Sequence, residues 1–319
     1  MNGSVQTAVD ESSAAATPGS ARKHRVSVVV LTRDRRSLLR RCLSSVAAQS
    51  VAPFEVIVVD NGGSDGSAQM VRDEFPEVVL IENVENLGIT GRNIGFKAAC
   101  GELILSLDDD VELADPDTLA KIPAVFEANP QLGALTLKIL EEDSGSDFVA
   151  NHWWHPRDRL AYQDREFETD RINEAAVVFD AEAIRRVDYY YEALFWGGEE
   201  WDLVLGLFDE GYTIRYLPLP VMHLAPRGYL DFKSDHRHAL LVRNRFWIAL
   251  RRLQLPEALA FGLPRLALWG LRAARYGYLG HYLSGVADLV RRLPQIYRDR
   301  RPISAETRER LRVVRAGAS

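Results

Sequence analysis

The sequence LILSLDDDVE, residues 103–112, places five residues suited to a buried strand directly before three consecutive carboxylates. Adjacent negative charges repel one another, and each costs free energy when it is even partly withdrawn from water. A hard divalent cation such as Mg²⁺ or Mn²⁺ prefers oxygen ligands and would offset this repulsion. The stretch is therefore either an acidic surface turn or, as its place after an apolar strand favours, a cation site at Asp108 and Asp110.

Strand and helix patterns alternate before this stretch. VSVVVL (26–31) and EVIVV (55–59) are β-branched runs typical of strands covered on both faces, and helical spacing of apolar residues follows each run. Short connections between such elements predict a mostly parallel α/β sheet, in which ligands bind beyond the carboxyl ends of the strands. The polar clusters TRD (32–34), DNGGSDG (60–66) and DDD (108–110) follow strand ends, so we expect them to converge on one crevice.

The second half of the chain is less regular. Strand patterns cover 134–140 and 175–179, and a helix is expected over 200–209, closed by Gly211. Residues 213–217 are predicted to form an edge strand that ends at a proline.

Composition and charge divide the chain into three parts. Residues 1–24 are rich in Ala, Ser and Thr and lack the apolar core of a signal peptide, so we predict a disordered tail. Residues 25–235 contain the strand and helix patterns. Residues 236–319 are predicted to form an Arg-rich, amphipathic helical extension; between Arg243 and Arg315 there are sixteen arginines, no lysine and five acids. An acidic body with a basic end indicates that the two parts face different partners.

Cysteine usage and hydropathy indicate the compartment. The two cysteines, Cys42 and Cys100, form no CxxC pair, and no stretch of about 18 uncharged apolar residues occurs. We therefore expect a cytoplasmic protein, either free or peripheral at the inner face of the plasma membrane.

The strand at 103–107 also fits a second enzyme class. The pattern h-h-h-h-D-x-D-x-V is that of haloacid-dehalogenase-like phosphatases, in which Asp108 would accept the phosphoryl group and Asp110 would act as acid and base. That chemistry also needs a later lysine, and Lys121, Lys138 and Lys233 stand in no suggestive setting. The phosphatase reading also leaves the two earlier polar clusters without a role.

Four segments carry a family resemblance: VSVVVLTRDR, FEVIVVDNGGSDGS, ENLGITGRNIGFKAACGELILSLDDDVEL and FWGGEEWDLVLGLFDEGYTIRYLP. In order and spacing, over about residues 25 to 225, they resemble the family 2 inverting glycosyltransferases. The triple aspartate followed by an aliphatic residue is similar to rhamnosyl- and galactofuranosyltransferase-like members. The resemblance implies a GT-A fold for residues 25–235: a Rossmann-like, mostly parallel mixed α/β sheet flanked by helices, here with the C-terminal helical extension.

The resemblance also implies roles for residues that match the family motifs. Asp108 and Asp110 would bind the donor pyrophosphate through Mg²⁺ or Mn²⁺, and His223 would complete the metal site. The expected donor-binding residues are Thr32, Arg33, Asp34, Asp60, Arg92, Asn93, Asp108 and Asp109. Of these, Asp60 would accept a hydrogen bond from the base N3–H of a uridine- or thymidine-type donor, a charge-assisted interaction.

FWGGEEWDL corresponds to the family pattern F-x-x-x-E-D-x-D-L, in which the second acid is the general base. Glu200 holds that position, and its side chain is one methylene longer than the commoner Asp. We favour Glu200 as the base, with Glu199 as the alternative.

The implied reaction is inverting transfer of a sugar from a nucleotide-diphosphate donor, of UDP or dTDP type, to a hydroxyl group. The acceptor would be a glycan, a lipid-linked sugar or a small molecule. The alternative, a catalytically silent sugar-nucleotide or glycan-binding module, is disfavoured because the acidic motifs are intact. We expect no nucleic-acid partner.

Two segments bear on the acceptor. NHWWH (151–155), with Trp196 and Trp201, offers aromatic faces for stacking on sugars, or for packing in the core. HALLVRNRFWIALRRL (238–253) predicts a helix on an anionic membrane, a packing helix or a homodimer face. Peripheral membrane contact through residues 238–300 and a homodimer are therefore both open at this point, beside packing within the chain.

Overall fold

A computed structural model describes residues 24–142, 153–224 and 237–317 of the chain. Its strands are β1 (Val26–Thr32), β2 (Glu55–Asp60), β3 (Val79–Glu82), β4 (Leu103–Asp108), β5 (Val111–Leu113), β6 (Leu132–Glu141), β7 (Phe167–Glu168), β8 (Ala176–Asp180) and β9 (Thr213–His223). Its α-helices are α1 (Arg36–Ala47), α2 (Ser67–Glu74), α3 (Arg92–Ala98), α4 (Thr118–Ala128), α5 (Arg159–Tyr162), α6 (Ala181–Arg186), α7 (Glu199–Asp209), α8 (Arg237–Arg252), α9 (Leu255–Tyr276), α10 (Leu279–Arg298) and α11 (Ala305–Ala316). The tail predicted for residues 1–24 lies outside the described residues except for His24.

The strands form one mixed sheet in the order β3-β2-β1-β4-β8-β6-β9-β5, and β7 pairs with β9. The first four strands in this order are parallel, whereas β8 runs antiparallel to both β4 and β6. Helices cover the sheet and continue into the C-terminal extension. The expected fold class, a mostly parallel mixed sheet flanked by helices with helices after it, is confirmed.

Hydrophobic cores lie on both faces of the sheet, as the continuous β-branched runs predict. Successive side chains of a strand point to opposite faces, and β1 shows this directly. Val28 and Val30 pack with Leu39 of α1, whereas Val29 packs on the other side with Phe96 of α3 and the helices beyond it. All three valines are fully buried.

The last long strand differs from the prediction of a short edge strand. β9 continues past Leu217 and Pro218 to His223, and it pairs with β6, β5 and β7. Pro218 and Pro220 cannot donate backbone hydrogen bonds, and the register with β6 shifts where they occur, so that Leu137 pairs with Leu217 and Lys138 with Pro220. This irregularity lets the strand continue and carries His223 to the end of the sheet.

Helix α8 is a packing helix, which decides among the three alternatives that the sequence left for residues 238–253. Val242, Phe246, Trp247 and Ile248 are buried, and the last three of these join the core that also contains α7. Such a face is not available to a membrane or to a second copy of the chain. No helix within the described residues has the length and apolarity needed to cross a bilayer.

A buried ion cluster joins α7 to α8. The Asp202 carboxylate accepts hydrogen bonds of 2.5 and 2.6 Å from Arg251 and of 2.8 and 2.9 Å from Arg252. Burial acts to raise the pKa of Asp202, but the two arginines outweigh it and hold that pKa below its ordinary value. Because all three side chains are buried, each charge depends on the others.

We predict that Asp202→Asn destabilises the chain by about 3–5 kcal/mol, because it leaves two guanidinium groups buried without an anion. Urea unfolding at pH 7 measures the change. The matched control is Glu182→Gln on α6, since Glu182 also binds two arginines but is exposed; its expected cost is at most about 1 kcal/mol. Equal losses of unfolding free energy for the two variants would contradict the conclusion that the buried charges around Asp202 depend on one another.

Candidate active site

The three predicted polar clusters lie at one edge of the sheet. In the parallel register Thr32 pairs with Asp60, and Leu31 pairs with Asp108, so β1, β2 and β4 end together. Strand β8 is antiparallel and begins at this edge, where Ala175 O accepts a 3.0 Å hydrogen bond from Asp108 N. The edge therefore joins the triple aspartate to the residues before β8.

The three aspartates have different surroundings. Asp108 is bonded by Nη2 of Arg92, whose side chain is almost fully buried, and a third of the Asp108 side chain remains exposed. Asp109 is buried and accepts hydrogen bonds from Thr32 Oγ1 at 2.8 Å and from Arg35 Nη1 at 3.0 Å. Burial raises the pKa of Asp109 to about 6, with Arg35 opposing. Asp109 thus faces away from Asp108, towards the start of α1.

Asp110 and His223 lie next to each other. The Asp110 carboxylate accepts a 2.7 Å bond from Arg35 Nη1, and its other oxygen, Oδ1, lies 3.6 Å from His223 Nε2. Strand β5 sets this distance by pairing Val111 with His223. Burial and the neighbouring Asp108 raise the pKa of Asp110.

These residues fit a divalent cation. Asp110 Oδ1 is buried without a hydrogen-bond partner among the described residues, and two carboxylates and an imidazole are a donor set that Mg²⁺ or Mn²⁺ accepts. Ligand atoms of Asp108, Asp110 and His223 do not all come within 4.8 Å of one another, in contrast to the carboxylate cluster described below. The guanidinium groups of Arg92 and Arg35 supply the positive charge beside Asp108 and Asp110 in this arrangement.

The loop after β2 presents a carboxylate to the same edge. Asp60 Oδ1 accepts a 2.8 Å bond from Gly63 N, and Oδ2 accepts no hydrogen bond from any described residue. Burial raises the pKa of Asp60. Asp34, with a positive φ of 53°, fixes the loop from the other side by accepting a 2.6 Å bond from Ser64 N. Arg33 is exposed beside it.

Asn61 organises the next loop, a role that the sequence pattern does not predict. Its side-chain amide donates to Asn86 Oδ1 at 3.0 Å and to Gly88 O at 2.8 Å, and its Oδ1 accepts from Leu87 N at 3.0 Å. The position of Asn61 directly after a predicted strand end is the feature of the sequence that could have indicated this role.

Gly88 permits a close approach, but the approaching group belongs to the protein itself. A Cβ at Gly88 would lie 2.0 Å from Phe195 O, and Ile89 N donates a 2.9 Å bond to that oxygen. The loop before α3 is thereby bound to the FWGGEE segment. Asn93, expected near the donor, also binds protein, since its side chain bonds the backbone N and O of Tyr190.

The FWGGEE segment is held from α8. Phe195 has a positive φ of 64°, and Gly197 and Gly198 have φ of 91° and 95°, so the turn into α7 is tightly bent. Asn244 Nδ2 donates to the carbonyls of Leu194, Trp196 and Gly197 at 2.8 to 3.0 Å. A helix of the extension therefore fixes the backbone that leads to Glu199 and Glu200.

Three carboxylates meet at the first turn of α7. Oxygens of Glu174, Glu199 and Glu200 lie within 4.8 Å of one another, and this is the one such group of three found in the described part of the chain. Burial and the Glu200 charge raise the pKa of Glu199 to about 7, and burial raises those of Glu174 and Glu200. Glu174 was missed from the sequence, because only the antiparallel direction of β8 brings it here.

Glu200 opens into a pocket, whereas Glu199 is buried. The pocket is lined by Trp154, Asp170, Arg171, Ile172, Glu200, Trp201, Val204 and Arg245. The charges of Arg245 and Arg171 lower the pKa of Glu200 and oppose the effect of burial. Trp154 and Trp201 thus lie beside an acid, and Trp201 also packs against Phe261, while Asn151 and His152 lie outside the described residues.

This geometry combines a glutamate in an open pocket with a strand edge whose acids suit a divalent cation. Charge interactions link the two parts, since the charges of both Arg92 and Asp108 act on Glu174. A bound group that spans the edge would have Asp108 on one side and Glu200 on the other.

Known proteins resemble this chain in sequence and in fold. The family model described as "Glycosyl transferase family 2" matches residues 27–188, half of the chain. An uncharacterized glycosyltransferase of Nostoc sp. is 30% identical over 115 residues, 35% of each chain. The glucosyl-dolichyl phosphate glucuronosyltransferase of Haloferax volcanii is 33% identical over 117 residues, 35% of this chain and 37% of that protein. The match thus spans about a third of these relatives.

Solved structures share the fold. The mannosyltransferase PcManGT from Pyrobaculum calidifontis, in complex with GDP-Man and Mn²⁺, aligns with a TM-score of 0.57 at 20% identity, over 84% of this chain and 87% of that one. TarS residues 1–349 of S. aureus, in complex with UDP-GlcNAc, align with a TM-score of 0.59 at 18% identity, over 92% and 87%. By its motifs, its GT-A fold and the match over half its length, the chain belongs to glycosyl transferase family 2.

Proposed function

We propose that the protein is a metal-dependent inverting glycosyltransferase that uses Glu200 as its general base. The observation that carries the proposal is the placement of Glu200, in an open pocket, beside the strand edge that holds Asp108 and Asp110. Inverting displacement needs a base and a departing diphosphate on opposite faces of the sugar, and two acidic sites side by side supply both positions.

The donor we propose is a nucleotide-diphosphate sugar of UDP or dTDP type. Asp60 Oδ2 is available to accept the base N3–H, because Gly63 occupies only Oδ1. Asp34 and Arg33 border the same loop, and Thr32 keeps Asp109 oriented behind it. The solved relatives named above bind GDP-Man and UDP-GlcNAc, so a nucleotide sugar is supported more strongly than the base that it carries.

Asp108, Asp110 and His223 are the residues that would hold the cation. Mg²⁺ or Mn²⁺ at this place would stabilise the negative charge that accumulates on the diphosphate. Arg92 and Arg35 already neutralise Asp108 and Asp110, so donor binding requires Arg92 to share or release its carboxylate. Their positive charges then lie close to the diphosphate.

The chain contributes proton transfer on the acceptor side. The deprotonated Glu200 carboxylate accepts the proton of the acceptor hydroxyl as the oxygen attacks the anomeric carbon. Glu199 and Glu174 lie behind it, and burial raises the pKa of both, which favours their neutral forms and leaves the negative charge on Glu200. Trp154 and Trp201 would face the acceptor sugar.

The acceptor class we propose is a lipid-linked or glycan hydroxyl rather than a free small molecule. The pocket beside Glu200 has two tryptophans that suit the face of a sugar ring, and its two arginines are matched by Asp170 and Glu200. The Haloferax volcanii relative is named for a dolichyl phosphate-linked substrate, and it matches the motif-bearing segment.

The first test is a thermal-shift screen of nucleotide-diphosphate sugars with and without Mn²⁺. We predict that one donor class raises Tm by several degrees only when Mn²⁺ is present, because a ligand at about 100 times its Kd adds about 2.7 kcal/mol. Asp110→Asn should lose the Mn²⁺-dependent part. Absence of any shift in the native protein would refute both the donor and the metal assignments.

Glu200→Gln is predicted to lower kcat at least about 100-fold, since general base catalysis contributes that much or more. The Mn²⁺-dependent thermal shift with donor should remain, because the amide keeps the shape of the site. Glu199→Gln is the matched variant, and its loss should be smaller. If Glu199→Gln abolishes turnover while Glu200→Gln does not, the base is Glu199.

We also predict a change in pH dependence. A base must be deprotonated, so burial of Glu200 moves the acid limb of kcat/KM above the ordinary pKa of a glutamate. Arg245 opposes that shift, and Arg245→Gln should therefore move the limb to still higher pH. Arg72→Gln, on the exposed side of α2, is the control and should leave the profile unchanged. A shift to lower pH with Arg245→Gln would contradict the model.

A further inference from the structure

Helix α9 turns its large apolar side chains outward. Its buried residues are small, namely Ala258, Gly262 and Ala273, whereas five of its six leucines are exposed: Leu255, Leu259, Leu263, Leu268 and Leu271. A helix of a globular protein usually shows the reverse, with leucines inward. Leu271 is 71% exposed.

Helix α10 repeats this arrangement. Leu283, Val290 and Tyr297 are exposed and recur every seven residues, so they form one stripe along the helix. Gly285, by contrast, faces α8, where an added Cβ would lie 2.4 Å from Ala239 O. Gly262 of α9 packs on Phe246 of α8 in the same way. The exposed stripes of both helices therefore point away from α8.

We name this surface the α9–α10 outer face and define it by six exposed residues: Leu259, Leu263, Leu271, Leu283, Val290 and Tyr297. Helices α9 and α10 contact each other, and large exposed apolar patches usually mark interaction sites. The charges around it identify the partner.

Arginines border the outer face. Arg265, Arg272 and Arg275 on α9 are exposed and make no ion pair with another described residue. Arg291 and Arg298 on α10 are each 74% exposed. The two acids of these helices are engaged, since Asp288 binds Arg243 and Arg292, and Glu257 lies 3.6 Å from Arg308.

We propose that the α9–α10 outer face docks on an anionic phospholipid bilayer. Leucines enter the interface between headgroups and acyl chains, and the flanking arginines bind lipid phosphates. A second copy of the chain is the weaker candidate, because a two-fold interface through this face would oppose arginines to arginines with no acid to pair them. This contact extends the proposed function, since it would place a lipid-linked acceptor near the enzyme.

The test is flotation of the full chain with vesicles, without donor, acceptor or metal. We expect binding to phosphatidylcholine vesicles that contain phosphatidylglycerol, weakening as salt increases, and little binding to phosphatidylcholine alone. The double variant Leu263→Ser/Leu271→Ser should weaken binding at least about tenfold. Arg272→Gln/Arg275→Gln should weaken it less and reduce its salt dependence.

The matched control is Val84→Ser/Leu160→Ser, which removes apolar side chains that are more exposed than Leu263 and Leu271 but lie outside α9 and α10, and it should leave binding unchanged. Circular dichroism spectra should be unchanged in all variants, because every substituted residue is exposed. Equal binding by the native chain and by Leu263→Ser/Leu271→Ser would overturn the proposal. So would a stable dimer that this variant dissociates. Either failure leaves the transferase assignment intact, since flotation requires no turnover.

Discussion

Repulsion between carboxylates is the constraint around which the site is built. Asp108, Asp109 and Asp110 end one strand, and Glu174, Glu199 and Glu200 gather beside it. The chain separates these charges in two ways: it supplies arginines to the aspartates, and it buries Glu174 and Glu199, where protonation of these two acids is favoured. The aspartates are thus charged and paired with arginines, whereas burial favours the neutral form of the glutamates behind the pocket. Acid–base chemistry and metal binding in one site need acids in both of these states.

Close backbone packing holds these two groups in register. Gly88 touches the Phe195 carbonyl, so the loop before α3 packs directly against the FWGGEE segment. Asn61 binds the loop before α3 through Gly88 O, and Asn244 of α8 binds the FWGGEE segment through Trp196 O. Tight turns leave backbone carbonyls and amides without partners in regular secondary structure, and leaving such groups unpaired costs free energy. Two asparagine side chains supply the missing hydrogen bonds here.

The sequence is informative wherever a local pattern determines the outcome. Buried β-branched runs predicted the parallel strands, and their polar ends predicted the shared edge of Thr32, Asp60 and Asp108. Pairing over long distances was not predictable: Glu174 joins the site because β8 is antiparallel, and β9 passes two prolines because its partner β6 shifts register. Asn93 and Asn244 share a residue type with ligand-binding amides, and only tertiary contacts reveal that both bind backbone.

Helix α8 makes the C-terminal extension part of the transferase rather than an appended module. It carries Asn244 to the FWGGEE backbone and Arg251 and Arg252 to Asp202, and it supports α9 and α10 on its other side. A chain cut after β9 would lose the groups that shape the glutamate-bearing turn, even though every motif of the family would remain in its sequence. The residues of α9 and α10 that face α8 therefore share the constraint of the turn that α8 holds, whereas the outer residues of these two helices do not contact that arrangement.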